Sequence, residues 1–225
     1  MNKIVVHHLN NSRSQRVLWL LEELGVEYDL RLYQRNAETM LAPPELKAVH
    51  PLGKSPVITD GDLTLAESGA IIEYLADRYG TGRLARPFGS TERVRYIYWL
   101  HYAEGSAMPP QLLKLMIDRI ASAQMPFFVR PIVNKIRARA MEGFIGPQLK
   151  LHLDYMESEL SRAQWFCGEF SAADIAMSFP LEIAVKRAGL NDSRPNLMGF
   201  LKRIHDRPAY KRALERGGKY DYAEM

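Results

Sequence analysis

Two periodicities divide this chain. Up to about residue 80, short runs with the two-residue alternation of strands are interleaved with stretches of helical spacing; after about residue 90 only the helical spacing remains. Lys3-Ile4-Val5-Val6 is a β-branched run that His7-His8-Leu9 extends, and Asn10-Asn11-Ser12 follows as polar punctuation. From Ser14 the pattern turns helical. Val17, Leu18, Leu20, Leu21 and Leu24 share one broad face, and Gly25 sits where a glycine ends a helix. Tyr28–Tyr33 alternates again, so strand, helix and strand predict a parallel pair joined by a right-handed crossover. Pro43-Pro44-Glu45 opens a short helix, with Pro44 suited to its first turn.

The stretch His50–Leu75 is the most informative. His50-Pro51-Leu52-Gly53 is a turn, and Lys54-Ser55-Pro56 leads into the apolar run Val57-Ile58. Asp60-Gly61 predicts a hairpin, after which Leu63 and Leu65 alternate with polar residues. Glu67-Ser68 then precedes a helical pattern of Ile71, Ile72, Leu75 and Ala76, with Ser68 as its expected N-cap. Unpaired N–H groups at that helix start favour an anion. Pro56 cannot donate to a sheet ladder, so it fits a strand's first residue, an edge or a cis bond. The open edge beside Ser55 offers backbone groups to an extended ligand. A carboxylate at Ser68 and a peptide backbone at Ser55 describe a small anionic peptide.

The order βαβαββα over residues 1–80 predicts a thioredoxin-like α/β domain, with Pro56 as its cis-proline. Residues 81–89 read as a linker, and residues 90–225 as an all-α domain. In that half, Ser90–Leu115 is expected to be helical with a break at Pro109-Pro110, and Gly146-Pro147 to kink a later helix. Leu149, Leu153, Met156 and Leu160 mark one buried stripe. Ser171-Ala172-Ala173-Asp174 is a capping box, and the same register puts Phe170 and Ile175 at the two positions of a hydrophobic staple. Asn196–Arg207 and Ala209–Arg216 form closing helices divided by Pro208.

Composition narrows the functional classes. Apolar residues make up 47% and charged residues 25%, values of an ordinary globular protein. No apolar run reaches about 18 residues, so no membrane span is expected. The N-terminal apolar run is too short for a signal peptide, and the single cysteine, Cys167, gives no disulfide framework; a cytoplasmic protein is expected. The net charge is +4, but the basic clusters Arg130–Arg139 and Lys202–Arg216 lie among apolar residues at helical spacing. They read as solvated helix faces, with no nucleic-acid partner. The histidines have no metal-ligand spacing, since His7 and His8 point to opposite faces of a strand. No metal or prosthetic group is expected.

The pattern G-K-x-P-V, hairpin, E-S-x-A-I-x-x-Y-L resembles the glutathione-binding half of the glutathione S-transferases, and the resemblance runs through the N-terminus to the Ser-x-x-Asp element, which is structural in that family. It implies the two-domain fold already read, a homodimer, and glutathione as co-substrate. Lys54 would reach the glycine carboxylate, Ser55 would pair its backbone with the cysteinyl part beside Pro56, Glu67 would meet the γ-glutamyl ammonium, and Ser68 the carboxylate next to it. Ser55 departs from the family, where an apolar residue is common.

Theta-like and related bacterial and fungal transferases carry a serine four residues before a helix arginine, the spacing of Ser12 and Arg16 here. A free thiol of pKa about 8.5 is only a few per cent ionised at neutral pH. Ser12, between a strand and a helix start, offers a hydroxyl donor and the positive end of a helix to a thiolate. Ser14 is a rival that fits better as a first-turn or cap residue. Cys167 is expected to be a buried small apolar residue, and the absence of cysteine from the first 80 residues excludes a C-x-x-C redox site. Met108, Leu112 and Met116 are candidates for the hydrophobic second-substrate pocket, with Tyr102 and Phe128 beside them. The expected reaction is conjugation of the glutathione thiolate to a hydrophobic electrophile. Reduction of peroxides or disulfides at the same site, and a non-catalytic interaction module, are the alternatives.

Overall fold

The computed structural model describes residues 3–223. Four strands, β1 (Ile4–Leu9), β2 (Tyr28–Tyr33), β3 (Val57–Asp60) and β4 (Leu63–Ala66), form one sheet in the order β2-β1-β3-β4. β1 pairs parallel with β2 and antiparallel with β3, and β3 pairs antiparallel with β4. Helices α1 (Gln15–Leu24), α2 (Pro44–Val49) and α3 (Ser68–Tyr79) complete a thioredoxin-like unit. Gly25 ends α1 at φ 69°, a left-handed conformation that costs a residue without Cβ little. Residues 81–90 contain neither helix nor strand, and every later element is helical. The fold is therefore the thioredoxin-like plus all-α architecture expected. None of its helices is long and apolar enough to cross a membrane, among the described residues.

Three local expectations are corrected. Asp60 pairs with Leu63, so the two turn residues are Gly61 and Asp62, with positive φ at Gly61 alone. A glycine first in the turn with an ordinary second residue matches a II′ connection, not the Asp-Gly turn expected. Ser68 is the first residue of α3 and not its N-cap, because Glu67 turns the chain at φ 73°, ψ 121° and takes the preceding position. The prolines at 109, 110 and 147 break nothing. Helices α4 (Thr91–Tyr102) and α5 (Met108–Ser122) are joined by a π-helical turn at Ala103–Ala107, and α6 (Arg130–Ala140) continues through another at Met141–Ile145 into α7 (Gly146–Leu160). Gly105, Ser106 and Gly143, whose carbonyls these prolines cannot serve, all lie in the π turns. The wider turn absorbs the missing donors, so the rod continues.

One apolar core runs from the sheet through α1 and α3 into the helical half. Val17, Leu18 and Trp19 on α1 share it with Tyr96 and Trp99 on α4, and with Leu153 and Met156 from the α7 stripe. Helices α8 (Ala172–Arg187), α9 (Pro195–His205) and α10 (Pro208–Gly217) close the chain, α10 opening on the proline expected to divide them. α10 returns to pack on α1. Arg212 and Arg216 pair with Glu22 at 2.9 and 3.2 Å, and Arg207 with Glu23 at 2.5 Å, so this part of the second basic cluster is a docking face and not a solvated one. A Cβ on Gly217 would stand 2.7 Å from Gln15 Oε1 and 2.9 Å from Leu18 Cδ1. Gly217→Val is expected to lower stability by about 1–3 kcal/mol by separating the two helices; an unchanged urea midpoint would show that this contact is not tight.

The capping element at 171–174 is built around a carboxylate with no solvent exposure. Asp174 Oδ2 accepts hydrogen bonds from the Ser171 N–H at 2.9 Å and the Ser171 hydroxyl at 3.1 Å, and Oδ1 accepts from the Phe166 N–H at 2.9 Å. Ile175 lies in the main core and Phe170, half-buried, packs against it. Next to the cap, the Ala172 N–H donates to Leu84 O at 3.0 Å, tying α8 to the 81–90 segment.

Candidate active site

The C-terminal end of β1, the start of β3 and the end of β4 meet at one edge of the domain. Ser55-Pro56 is a cis peptide there. Continuing the β3–β4 register beyond Val57↔Ala66 sets Pro56 opposite Glu67 and Ser55 opposite Ser68. Ser55 takes over ladder bonds that Pro56 cannot make. Its hydroxyl donates to His7 O at 3.1 Å and accepts from the Leu9 N–H at 3.3 Å. The Ser55 N–H and C=O have no hydrogen-bond partner among the described residues, so an exposed backbone edge faces outward as the sequence implies. Glu67 holds a positive φ without being glycine, the kind of backbone strain that persists where surrounding structure fixes a ligand-facing group.

Ser12 lies on the β1–α1 loop, 4% exposed, after Asn11 has turned the chain at φ 49°. Its Oγ is 2.7 Å from Ser14 Oγ and 3.4 Å from Ser55 Oγ, and it accepts from the Ser14 N–H at 3.2 Å. Ser14 occupies the N-cap position of α1, yet its side chain makes no capping bond. The hydroxyl is fully buried and faces the strand, 2.9 Å from His8 Nδ1. Ser14 therefore stands at the expected helix start without capping it, and its hydroxyl turns to His8. The first N–H groups of α1 are also occupied: those of Gln15, Arg16 and Val17 donate to the carbonyls of Ser12, Arg13 and Ser14. The helix start therefore offers its dipole but no free amide from these three residues.

Burial pushes the His8 imidazole down to about 4, so at neutral pH the ring holds one proton. The direction of the His8–Ser14–Ser12 chain then depends on which nitrogen carries it. With the proton on Nδ1, His8 donates to Ser14, whose own proton can go to Ser12 or to Leu9 O at 3.4 Å, and the Ser12 O–H is free to donate outward. With the proton on Nε2 the chain reverses, and Ser12 spends its proton on Ser14. His8 is a partner that sequence reasoning missed; its signal was a histidine ending an apolar strand beside a serine-rich loop.

Arg16, four residues on, is 2% exposed. Its Nη2 pairs with Glu104 Oε1 at 2.5 Å, and its Nη1 donates to Ala176 O at 2.7 Å. Ala176 is four residues before Pro180, which lies inside α8 and has no N–H to give. The arginine supplies the donor that the proline lacks. Arg13 pairs with the same Glu104 at 3.0 Å. Burial alone would raise the Glu104 carboxyl, but Arg16 and Arg13 override it and hold it below the usual range. The first π turn, which carries Glu104, thus locks the helical half onto the β1–α1 loop.

A cleft of about 840 Å³ opens beside this loop, within the range of small-molecule sites. Lys54 and Ser55 line it together with Asn11 and Arg13, and the facing wall is Met108, Leu112 and Met116 of α5 with Phe179 and Ile183 of α8. Leu112 is 52% and Met116 39% exposed, so these two belong to the cleft and not to the core; Met108, 8% exposed, serves both. Ser12, Pro56, Glu67 and Ser68 are not among its lining residues; the Ser12 Oγ connects to it through Ser55 Oγ, 3.4 Å away. Tyr102 and Phe128 are not in it. Tyr102 is buried with its hydroxyl 2.6 Å from His152 Nδ1, and Phe128 projects from the α5–α6 connection. Sequence reasoning also missed Arg35, Lys47, Arg119 and Arg187 on the lining, because isolated cations on separate elements carry no pattern. Burial pushes the Cys167 thiol up to about 11, which leaves it inert at neutral pH.

A four-stranded thioredoxin-like unit followed by an all-α half is the architecture that the glutathione S-transferase resemblance implies. Residues 1–77 match the glutathione S-transferase N-terminal domain family. The chain is 36% identical to glutathione S-transferase 3 of Schizosaccharomyces pombe, over 95% of this chain and 87% of that one. It is 32% identical to glutathione S-transferase 1 of Saccharomyces cerevisiae, over 95% and 94%. A solved glutathione S-transferase from Actinobacillus pleuropneumoniae superposes with a TM-score of 0.81 at 35% identity, covering 99% of this chain and 96% of its own. The chain belongs to the glutathione S-transferase family and is a glutathione transferase.

Proposed function

We propose that this transferase conjugates glutathione to hydrophobic electrophiles, with Ser12 as the thiolate-stabilising group. The observation that carries the reading is the juxtaposition of the Ser12 hydroxyl, the free Ser55 backbone edge and the apolar wall of α5 around one cleft. Glutathione lies extended along Ser55-Pro56. Lys54 takes its glycine carboxylate, Glu67 its ammonium, and Ser68 with the start of α3 its γ-glutamyl carboxylate. In the Nδ1–H tautomer of His8, the Ser12 hydroxyl donates to the sulfur and favours the thiolate. The thiolate attacks the electrophilic carbon and a new S–C bond forms. Either a leaving group departs with its electron pair, or a conjugated double bond takes up the pair and is then protonated. Proximity in the cleft does the rest.

In this reading residues 1–80 hold glutathione, 81–89 connect, and 90–225 supply the second-substrate wall. Exposed apolar side chains on α4 and α7, among them Val94, Tyr98 and Leu151, support a homodimer. Lys54→Ala and Glu67→Gln are each expected to weaken S-methylglutathione by about 1–3 kcal/mol; calorimetry showing no loss in either would remove the binding assignment. Incubation of the protein with glutathione and a panel of electrophiles and peroxides tests the reaction. S-conjugates as products support it, whereas glutathione disulfide alone would show a reductase at the same site.

A further inference from the structure

The cleft is more cationic than glutathione requires. Six cations line it, Arg13, Arg35, Lys47, Lys54, Arg119 and Arg187, and Asp221 is its only acidic lining residue among those described. That acid is already engaged. Asp221 accepts from Asn11 Nδ2 at 2.7 Å and pairs with Lys219 at 3.4 Å. Arg13 shares the single Glu104 carboxylate with Arg16. Arg35 donates only to backbone carbonyls, those of Asn10, Asn11 and Met40. Arg187 donates to the Tyr222 hydroxyl at 2.8 Å, and Arg119 makes no side-chain hydrogen bond or ion pair with a described residue.

Position separates these cations into two groups. Lys54, Lys47 and Arg35 belong to the thioredoxin-like half, where the glycine carboxylate of glutathione lies. Arg119 and Arg187 belong to the opposite wall. On α5, Leu112, Leu115, Met116 and Arg119 share one helical face, and on α8 Phe179, Ile183 and Arg187 recur at four-residue intervals. Each helix therefore presents an apolar stripe that ends in an arginine, and both stripes line the same cavity. The two walls also feel each other. Burial lowers the Arg35 guanidinium, Tyr222 opposes that shift, and Arg13 and Arg119 add to it. Positive charge is thus concentrated in a partly enclosed cleft, where low-dielectric walls strengthen its field.

We infer that the second substrate is an amphipathic electrophile with an anionic group, a carboxylate on an apolar body, whose carboxylate is received by Arg119 and Arg187. Guanidinium groups suit a carboxylate because they donate two parallel hydrogen bonds. The apolar body lies along Leu112, Met116, Phe179 and Ile183, and its reactive carbon faces the sulfur near Ser12. The inference rests on the proposed glutathione site and specifies the substrate class that site accepts.

The test uses two stable product analogues of equal length, S-hexylglutathione and S-(5-carboxypentyl)glutathione, titrated calorimetrically into the full-length protein. The unsubstituted protein is expected to bind the carboxylate analogue at least as tightly as the hexyl one, despite the cost of removing a carboxylate from water. Arg119→Gln combined with Arg187→Gln is expected to weaken the carboxylate analogue tenfold or more and the hexyl analogue less than threefold. Equal losses for both would assign these arginines to glutathione itself and overturn the inference. Tight hexyl binding with rejection of the carboxylate analogue by the unsubstituted protein would also overturn it, leaving the glutathione site intact. Failure of both analogues to bind would remove that site and the inference with it. Both arginines lie on the cleft wall, Arg119 exposed and Arg187 half-buried, so circular dichroism of the double variant at unchanged melting temperature serves as the folding control.

Discussion

Asp174→Ala is expected to destabilise the protein by about 3–5 kcal/mol, several times the loss for an ordinary helix cap. The carboxylate is fully buried and accepts three hydrogen bonds, two from backbone N–H groups. Truncation leaves the Phe166 and Ser171 amides unpaired in the interior, at about 1–3 kcal/mol each, and opens a small cavity as well. At this chain length the melting temperature should fall by roughly 6–20 °C. Burial pushes this carboxyl up to about 6, against the three donors that favour its ionised form. A group whose folded pKa exceeds its unfolded value gives stability at low pH. Stability should therefore decline as pH rises from about 4 to 6 and then level off. Asp174→Asn is expected to remove that pH dependence and to be destabilised too, because its amide group must face one of the same donors. Glutathione affinity of the folded fraction should stay normal. A melting temperature within about 2 °C of the parent would contradict the assignment of Asp174 as the pin of this segment.

Much of this was legible in the residues. The capping box was readable because Ser171, Asp174, Phe170 and Ile175 satisfy two local rules in one register, and local rules survive tertiary packing. The sheet was readable from β-branched runs and turn residues. What misled was also local. Ser68 looked like an N-cap because serine before an apolar run usually is one; only the backbone at Glu67, fixed by neighbouring strands, displaces it. The prolines of α5 and α7 looked like breaks because a π turn leaves no sequence signature apart from small residues ahead of a proline. The cationic lining was invisible for a different reason. Arg35, Arg119 and Arg187 are distant in sequence, and only the packing of α5 and α8 over the β1–α1 loop brings them to one cavity. Arg16 served in the sequence only as the spacing marker for Ser12, and its contacts with Glu104 and Ala176 O are those of a brace.

Ser12→Ala should leave the fold and the affinity for S-alkylated glutathione nearly unchanged while removing the hydroxyl that we propose stabilises the thiolate. The side chain is small, and its loss leaves Ser14 still bonded to His8. A hydroxyl that shifts a thiol by about two pKa units contributes about 2.7 kcal/mol, so conjugation below the shifted pKa should slow by roughly 100-fold. Ser14→Ala should be milder, because it interrupts the chain behind Ser12 without removing the donor itself. The decisive measurement is a spectroscopic titration of enzyme-bound glutathione, following thiolate absorbance against pH in the parent and in Ser12→Ala. The expected result is a thiolate forming well below the ordinary thiol range in the parent, and a midpoint rising toward about 8.5 in the variant. Superimposable titrations with equal conjugation rates would contradict the role of Ser12 and place thiolate stabilisation elsewhere in the cleft.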